Sequence, residues 1–215
     1  MLSDAVRKKF ENIVRGVIIE GQTDFVTTIR NYLCAGFSTS KKVKRDFESQ
    51  LIVKEKQAAV LRDYANSNHL YLTELPPQNN FLARGGESVV YLDTDQRHVV
   101  KVNDCVYYAT WLEYFNSLAL HNCLFEDTAY TFVGFADIDG ALHGVVRQLF
   151  IHADGQADLN DIRTFLLYNG FANTKRQDYF NQEYGIILED MHDENVIVNS
   201  DKLFFIDTVF YTVEV

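Results

Sequence analysis

Asp190-Met191-His192-Asp193-Glu194-Asn195 concentrates carboxylates, an imidazole and an amide into one short polar stretch. Short apolar pieces flank it, Ile186 to Leu188 before and Val196 to Val198 after, and both read as strands that would hold the polar stretch as a loop. Asp207 follows directly on a third apolar piece, Phe204-Phe205-Ile206. A carboxylate, an amide oxygen and a second carboxylate on neighbouring strand ends make a hard-oxygen site suited to Mg²⁺. Alone, this is a weak signal, because Asp and Asn are also ordinary turn residues.

A second constellation lies upstream. Arg84-Gly85-Gly86-Glu87-Ser88-Val89-Val90-Tyr91 joins two strand-like pieces through a glycine pair. Such a turn lets backbone N–H groups approach phosphate oxygens closely. The next strand carries Lys101 inside Val99-Val100-Lys101-Val102. A lysine in an apolar strand requires a partner, since an unpaired buried ammonium loses its charge. Glu113, on the helix that follows, is the natural candidate.

In this order the parts resemble the protein-kinase-like fold, and most nearly the small kinase-like domains of polyvalent proteins from phages and bacterial mobile elements. The residues behind the closer resemblance are Gly86-Glu87-Ser88, His121-Asn122-Cys123-Leu124-Phe125, Gly134-Phe135, Gln148, Gly170-Phe171, and Asp190-Met191-His192 with Asn195. The resemblance extends over roughly residues 80–208 and implies an α+β fold: a five-stranded antiparallel small lobe and a truncated second lobe. It also implies ATP and Mg²⁺ as cofactors. Gly85, Gly86, Glu87, Ser88, Val89 and Lys101 would then bind the nucleotide, with Gln148, Leu149 and Phe150 holding adenine through backbone groups. Glu113 would fix Lys101, Asp190 would take the acceptor's proton, His192 would stand near the transferred phosphate, and Asn195 and Asp207 would hold the metal.

Several positions depart from the kinase pattern. The loop has two glycines, Leu188 stands where kinases place His before the catalytic Asp, and Thr208-Val209 replaces Phe-Gly after Asp207. His192 takes the place of the catalytic-loop Lys, as in the aminoglycoside-phosphotransferase branch. The sequence ends soon after Asp207, leaving no stretch for a peptide-binding platform. The expected function is transfer of the γ-phosphoryl group of Mg-ATP to an unidentified protein or small-molecule acceptor, with a protein partner completing the second lobe. The rival reading is a pseudokinase, or a nucleotide-binding interaction module of a mobile-element protein, without turnover.

The elements that must position these residues divide at Pro76-Pro77, the only prolines, which cannot continue a helix. Residues 1–75 read as a helical module: one helix capped by Ser3, one from about Asp24 to Gly36, and one from Ser38–Ser40 to Asn66–Asn68. Residues 78–215 read as the kinase-like domain, with strands around Gly85-Gly86, a third at His98 to Val102, and a helix from about Tyr107 to Leu124. A hairpin at Asp139-Gly140, a helix from Asn160 closed by Gly170, and the terminal strands follow, Leu203 to Ile206 running on into Val209 to Val215.

Composition narrows the partners. Of 215 residues 47% are hydrophobic and 23% charged, as in globular proteins. Residues 1–75 carry 12 Lys and Arg against 9 Asp and Glu, so the net charge of −10 comes from residues 76–215, with 8 against 21. Phosphate backbones would be repelled by that body, which argues against nucleic acid. No apolar run reaches the roughly 18 residues of a membrane span, and no signal peptide is recognisable at the N-terminus. Three cysteines without CxxC spacing fit a reducing, cytoplasmic setting. Asp137-Ile138-Asp139-Gly140 lacks the spacing of a calcium loop and reads as a turn. His121 and Cys123 face different sides of their helix and read as core residues. Lys41-Lys42-Val43-Lys44-Arg45 reads as a solvated helix face.

Overall fold

The computed structural model describes residues 2–21, 23–37, 50–86 and 88–213. The chain folds as two compact units, one of Gln22–Phe115 with Tyr130–Phe150, the other of Met1–Gly21, Asn116–Ala129 and Ile151–Val215. The α+β class expected from the sequence is the class observed.

The first of these units is built on a five-stranded antiparallel sheet. Its strands are β1 (Phe81–Arg84), β2 (Ser88–Leu92), β3 (His98–Asn103), β4 (Thr131–Ile138) and β5 (Ala141–Leu149), in the order β1-β2-β3-β5-β4. β3 is central, and after His98 every residue in it is buried, which explains its near-continuous apolar run. The β4–β5 turn uses Asp139 at φ 52° and Gly140 at φ 82°, the pairing of positive angles that two-residue hairpins favour. Val100, Val102, Ala136 and Val145 form a core patch on which Leu72, Leu75, Tyr91 and Ile138 pack.

Helices α2 (Phe25–Phe37) and α3 (Gln50–Ser67) belong to the same unit. Asp24 caps α2 by accepting the Thr27 N–H. Lys54 donates to the carbonyls of Cys105 and Tyr108, the buried Gln57 accepts the Leu112 N–H at 3.1 Å, and Arg62 pairs with Asp137 at 2.8 Å. The chain after α3 then joins the sheet's edge through a Tyr71–Phe135 bridge. Val43 and Phe47 of the third expected helix, its start at Ser38 to Ser40 and the basic run from Lys41 all lie outside the described residues.

The other unit holds α1 (Asp4–Val14), capped by Ser3 as expected, and α5 (Leu159–Tyr168), closed by Gly170 at φ 86°. It also holds two small sheets. One joins β6 (Gly155–Gln156), β10 (Val196–Asn199) and β11 (Lys202–Phe205); the other joins β7 (Ala172–Lys175), β8 (Asp178–Asn181), β9 (Ile186–Glu189) and β12 (Val209–Thr212). Phe125 stacks on Phe205 with centroids 4.2 Å apart, and Phe165 and Phe210 flank the pair. The expected run from Leu203 to Val215 is in fact two strands. β11 pairs with β10, β12 with β9, and the break falls at Ile206–Thr208. Helix α4 (Trp111–Leu124) has residues in both units. It begins later than the expected Tyr107, because Cys105 at φ 61° and the turn after it occupy that stretch. Among the described residues no helix is long and apolar enough to cross a membrane.

Candidate active site

Asp190 and Asp207 occupy equivalent places in their unit. The chain passes from one small sheet to the other between β9 and β10, where Asp190 lies, and back between β11 and β12, where Asp207 lies. Backbone at a crossover leaves its ladder, so its polar groups and side chains become available for other partners.

At the first crossover Asp190 adopts φ 64°. Its N–H donates to Asp178 Oδ1 at 3.2 Å, and the Met191 N–H donates to the Gln177 carbonyl at 2.9 Å. Asn195 Nδ2 donates to the Asp190 carbonyl at 2.9 Å and lies 3.4 Å from its Oδ2. His192 Nδ1 accepts the Glu194 N–H at 3.1 Å, and its Nε2 lies 3.2 Å from Asn195 Nδ2 and 3.4 Å from Asp190 Oδ1. The Ile206 N–H donates to the Asn195 carbonyl at 3.0 Å, extending the β10–β11 ladder by one pair. Asp190, His192 and Asn195 are in mutual contact; Asp207 follows the residue that pairs with Asn195. Burial, and then the nearby Asp178 and Asp190 carboxylates, raise the Glu189 carboxyl above its ordinary range.

In the five-stranded unit the glycine turn is closed by a Gly85 N–H to Ser88 carbonyl bond of 2.8 Å. Gly86 meets the Tyr107 hydroxyl so closely that an added Cβ would collide with it. Asn103 Nδ2 donates to Ser88 Oγ at 2.9 Å, and its Oδ1 accepts the Cys105 N–H at 2.6 Å. One amide thus ties the glycine turn to the Cys105–Tyr108 turn. Val89 is half-buried on β2, in register with Val102. Glu87 lies outside the described residues.

Lys101 is only 6% exposed, and its Nζ lies 5.4 Å from the centroid of the Tyr130 ring, within the range of a cation–π contact. The Glu113 carboxylate makes a cap contact at the start of its own helix. Its Oε2 accepts the Ala109 N–H at 3.0 Å while its own N–H donates to Thr110 Oγ1 at 3.2 Å, a reciprocal cap at the start of α4. Gln148 is buried and Leu149 exposed. The Phe150 N–H is held by the Arg97 carbonyl at 2.8 Å. Phe150 is also where the chain leaves this unit.

Asn195 and Asp207 are the residues that would hold a divalent cation, with the phosphates of a nucleotide completing its shell. Among the described residues no group of three or more His, Cys, Asp or Glu side chains forms a metal cage. Asn195 turns its NH₂ to the Asp190 carbonyl, leaving Oδ1 as a hard acceptor, and Asp207 follows Ile206, whose N–H pairs with the Asn195 carbonyl. One or two protein oxygens completed by phosphates and water is the manner in which Mg²⁺ is usually held. The contacts of Asn103, Tyr107 and Tyr130 with the glycine turn and Lys101 were not legible in the sequence. Each joins residues distant in sequence, and no spacing announces it.

A family model described as serine/threonine/tyrosine kinase found in polyvalent proteins matches residues 54–214. The match starts inside α3 and takes in both crossovers, the glycine turn and Lys101. No curated protein matches the sequence.

Proposed function

The chain belongs to the family of serine/threonine/tyrosine kinases found in polyvalent proteins, and on that footing we propose that it transfers the γ-phosphoryl group of Mg-ATP to an acceptor hydroxyl. The observation that carries the reading is the contact set Asp190–His192–Asn195, with Asp207 following Ile206, the backbone partner of Asn195. In this reading the glycine-turn amides and Lys101 hold the phosphates. Asn195 Oδ1 and the Asp207 carboxylate hold Mg²⁺, which when bound neutralises charge on the phosphates of the nucleotide. Asp190 accepts the acceptor's hydroxyl proton, and Asn195 orients it by gripping its backbone. His192 Nε2 stands beside the Asp190 carboxylate and, when protonated, donates to the transferred group's oxygens.

The test is incubation with γ-labelled ATP and Mg²⁺ alongside a thermal melt. A ligand at about 100 times its dissociation constant adds roughly 2.7 kcal/mol to the folded state, so Mg-ATP should raise Tm by about 5 °C or more. Asp190→Asn should abolish transfer and keep that shift; Asp207→Asn should lose both. The absence of any shift at millimolar Mg-ATP would remove the reading.

One observation favours a second reading. Glu113 Oε2 is engaged in the cap of its own helix, at Ala109, and not in the task the kinase pattern gives that glutamate. The chain would then bind nucleotide without turnover. A Mg-ATP shift with no transfer by the wild type would support it.

A further inference from the structure

The crossover that carries Asp207 is held from behind by a buried polar network. His121 is fully buried, and Thr128 and Thr208 nearly so. His121 Nε2 lies 2.9 Å from the Thr128 carbonyl, which can only accept, so Nε2 carries the ring proton. Nδ1 is then bare, and it accepts the Thr208 hydroxyl at 2.7 Å. The Thr128 hydroxyl in turn donates to the Phe205 carbonyl. The residues on either side of Ile206-Asp207 are thereby fastened to α4 and the turn after it, Phe205 through Thr128 and Thr208 through His121. Ser117, one turn earlier on α4, accepts the Phe210 N–H at 3.0 Å. Aromatic rings surround the network: Phe125 lies edge-on to His121 at 5.3 Å and stacks on Phe205. Buried polar groups are costly unless every one is satisfied, and a phenylalanine at 121 would fill the space without that cost.

We propose that His121, acting through Thr208, is a positioning residue for Asp207. It fixes the backbone from which the carboxylate projects and so the place of the metal carried with the nucleotide. This rests on the metal-nucleotide reading above. Partners behind a metal ligand typically contribute about 10–100-fold in metal affinity.

The experiment uses the full chain with ADP and Mn²⁺, the free ion being counted by its paramagnetic resonance signal. Thr208→Val removes the hydroxyl and keeps the shape; it should weaken Mn²⁺ binding by about tenfold or more. Thr208→Ser restores a hydroxyl and should return binding to within about threefold of wild type. His121→Asn can still accept from Thr208 near the Nδ1 position, and should bind better than His121→Ala. Urea melts without ligand report folding separately, so a Thr208→Val chain that melts near Thr208→Ser yet binds Mn²⁺ poorly supports the proposal. Equal Mn²⁺ affinity in wild type and Thr208→Val overturns it. A wild type that binds no Mn²⁺ with ADP overturns the metal-nucleotide reading itself, and the positioning role with it.

Discussion

The side-chain amide of Asn195 donates to the backbone carbonyl of Asp190 at 2.9 Å, so the proposed metal ligand also fixes the proposed base. Asn195→Asp separates the two tasks. It keeps a hard oxygen for the cation but replaces the donor with an acceptor facing a carbonyl. Mg-ATP binding, read as the thermal shift, should survive. Transfer should fall by about a hundredfold, the usual consequence of displacing a reacting group by an ångström. Equal transfer by both chains would show that Asp190 does not depend on this bond.

Gly86 lies against the Tyr107 ring. A methyl group there would collide with the Tyr107 ring and hydroxyl, and the half-exposed ring would have to swing aside. Gly86→Ala should therefore lower nucleotide affinity, and removing the obstacle in Gly86→Ala/Tyr107→Ala should recover most of it. Fluorescent-nucleotide titration checks both. A double variant no better than Gly86→Ala would mean that the glycine serves the turn itself, not the ring above it.

Periodicity revealed most of this fold. Strands such as Val99 to Val102 and helices such as that from Asn160 stand within a residue or two of where apolar spacing put them, because burial on one face imposes the period. β7, Ala172–Lys175, stayed hidden because all four of its residues are exposed. β8 is short and set in polar sequence, and β6 is two residues long. The break at Ile206–Thr208 was invisible for another reason: both halves are apolar, and only their different sheet partners separate them. The spacing of Asp190, Asn195 and Asp207 was legible because it follows the chain. The Glu113 cap follows the chain too, since Thr110 and Glu113 stand at capping-box spacing, but the same glutamate also fits a pair with the buried lysine, and spacing does not choose between the two.

Glu189 supplies a pH prediction. Burial, then Asp178 and Asp190, raise its carboxyl, so the folded state holds the proton more tightly than the unfolded chain. Stability from that proton is complete below the ordinary glutamate range and is lost as pH rises through the raised value. Glu189→Gln cannot undergo that loss. The variant's melting temperature should exceed the wild type's near pH 7, and the difference should shrink towards pH 4. A difference that is constant with pH would assign the effect to packing.

Helix α3 should prove inseparable from the five-stranded unit. The charge asymmetry and the small size of residues 1–75 predict docking by apolar contact, and α3 buries Leu61 and Ala65 but also makes specific polar contacts. Gln57 is 1% exposed and accepts the N–H of Leu112 in the first turn of α4, one of the donors that a helix start leaves without an intrahelical partner. Gln57→Leu leaves that donor buried and unmet, at a cost of about 1–3 kcal/mol. Arg62→Ala, which breaks a half-exposed pair with Asp137, should cost about 1 kcal/mol or less. A chain starting at Gln78 loses both contacts, together with Leu72 and Leu75 from the core patch, and should be insoluble or far less stable than the whole. Urea denaturation orders the three. If the shortened chain melts like the full protein and binds Mg-ATP equally well, α3 is an accessory to the kinase-like unit and not a part of it.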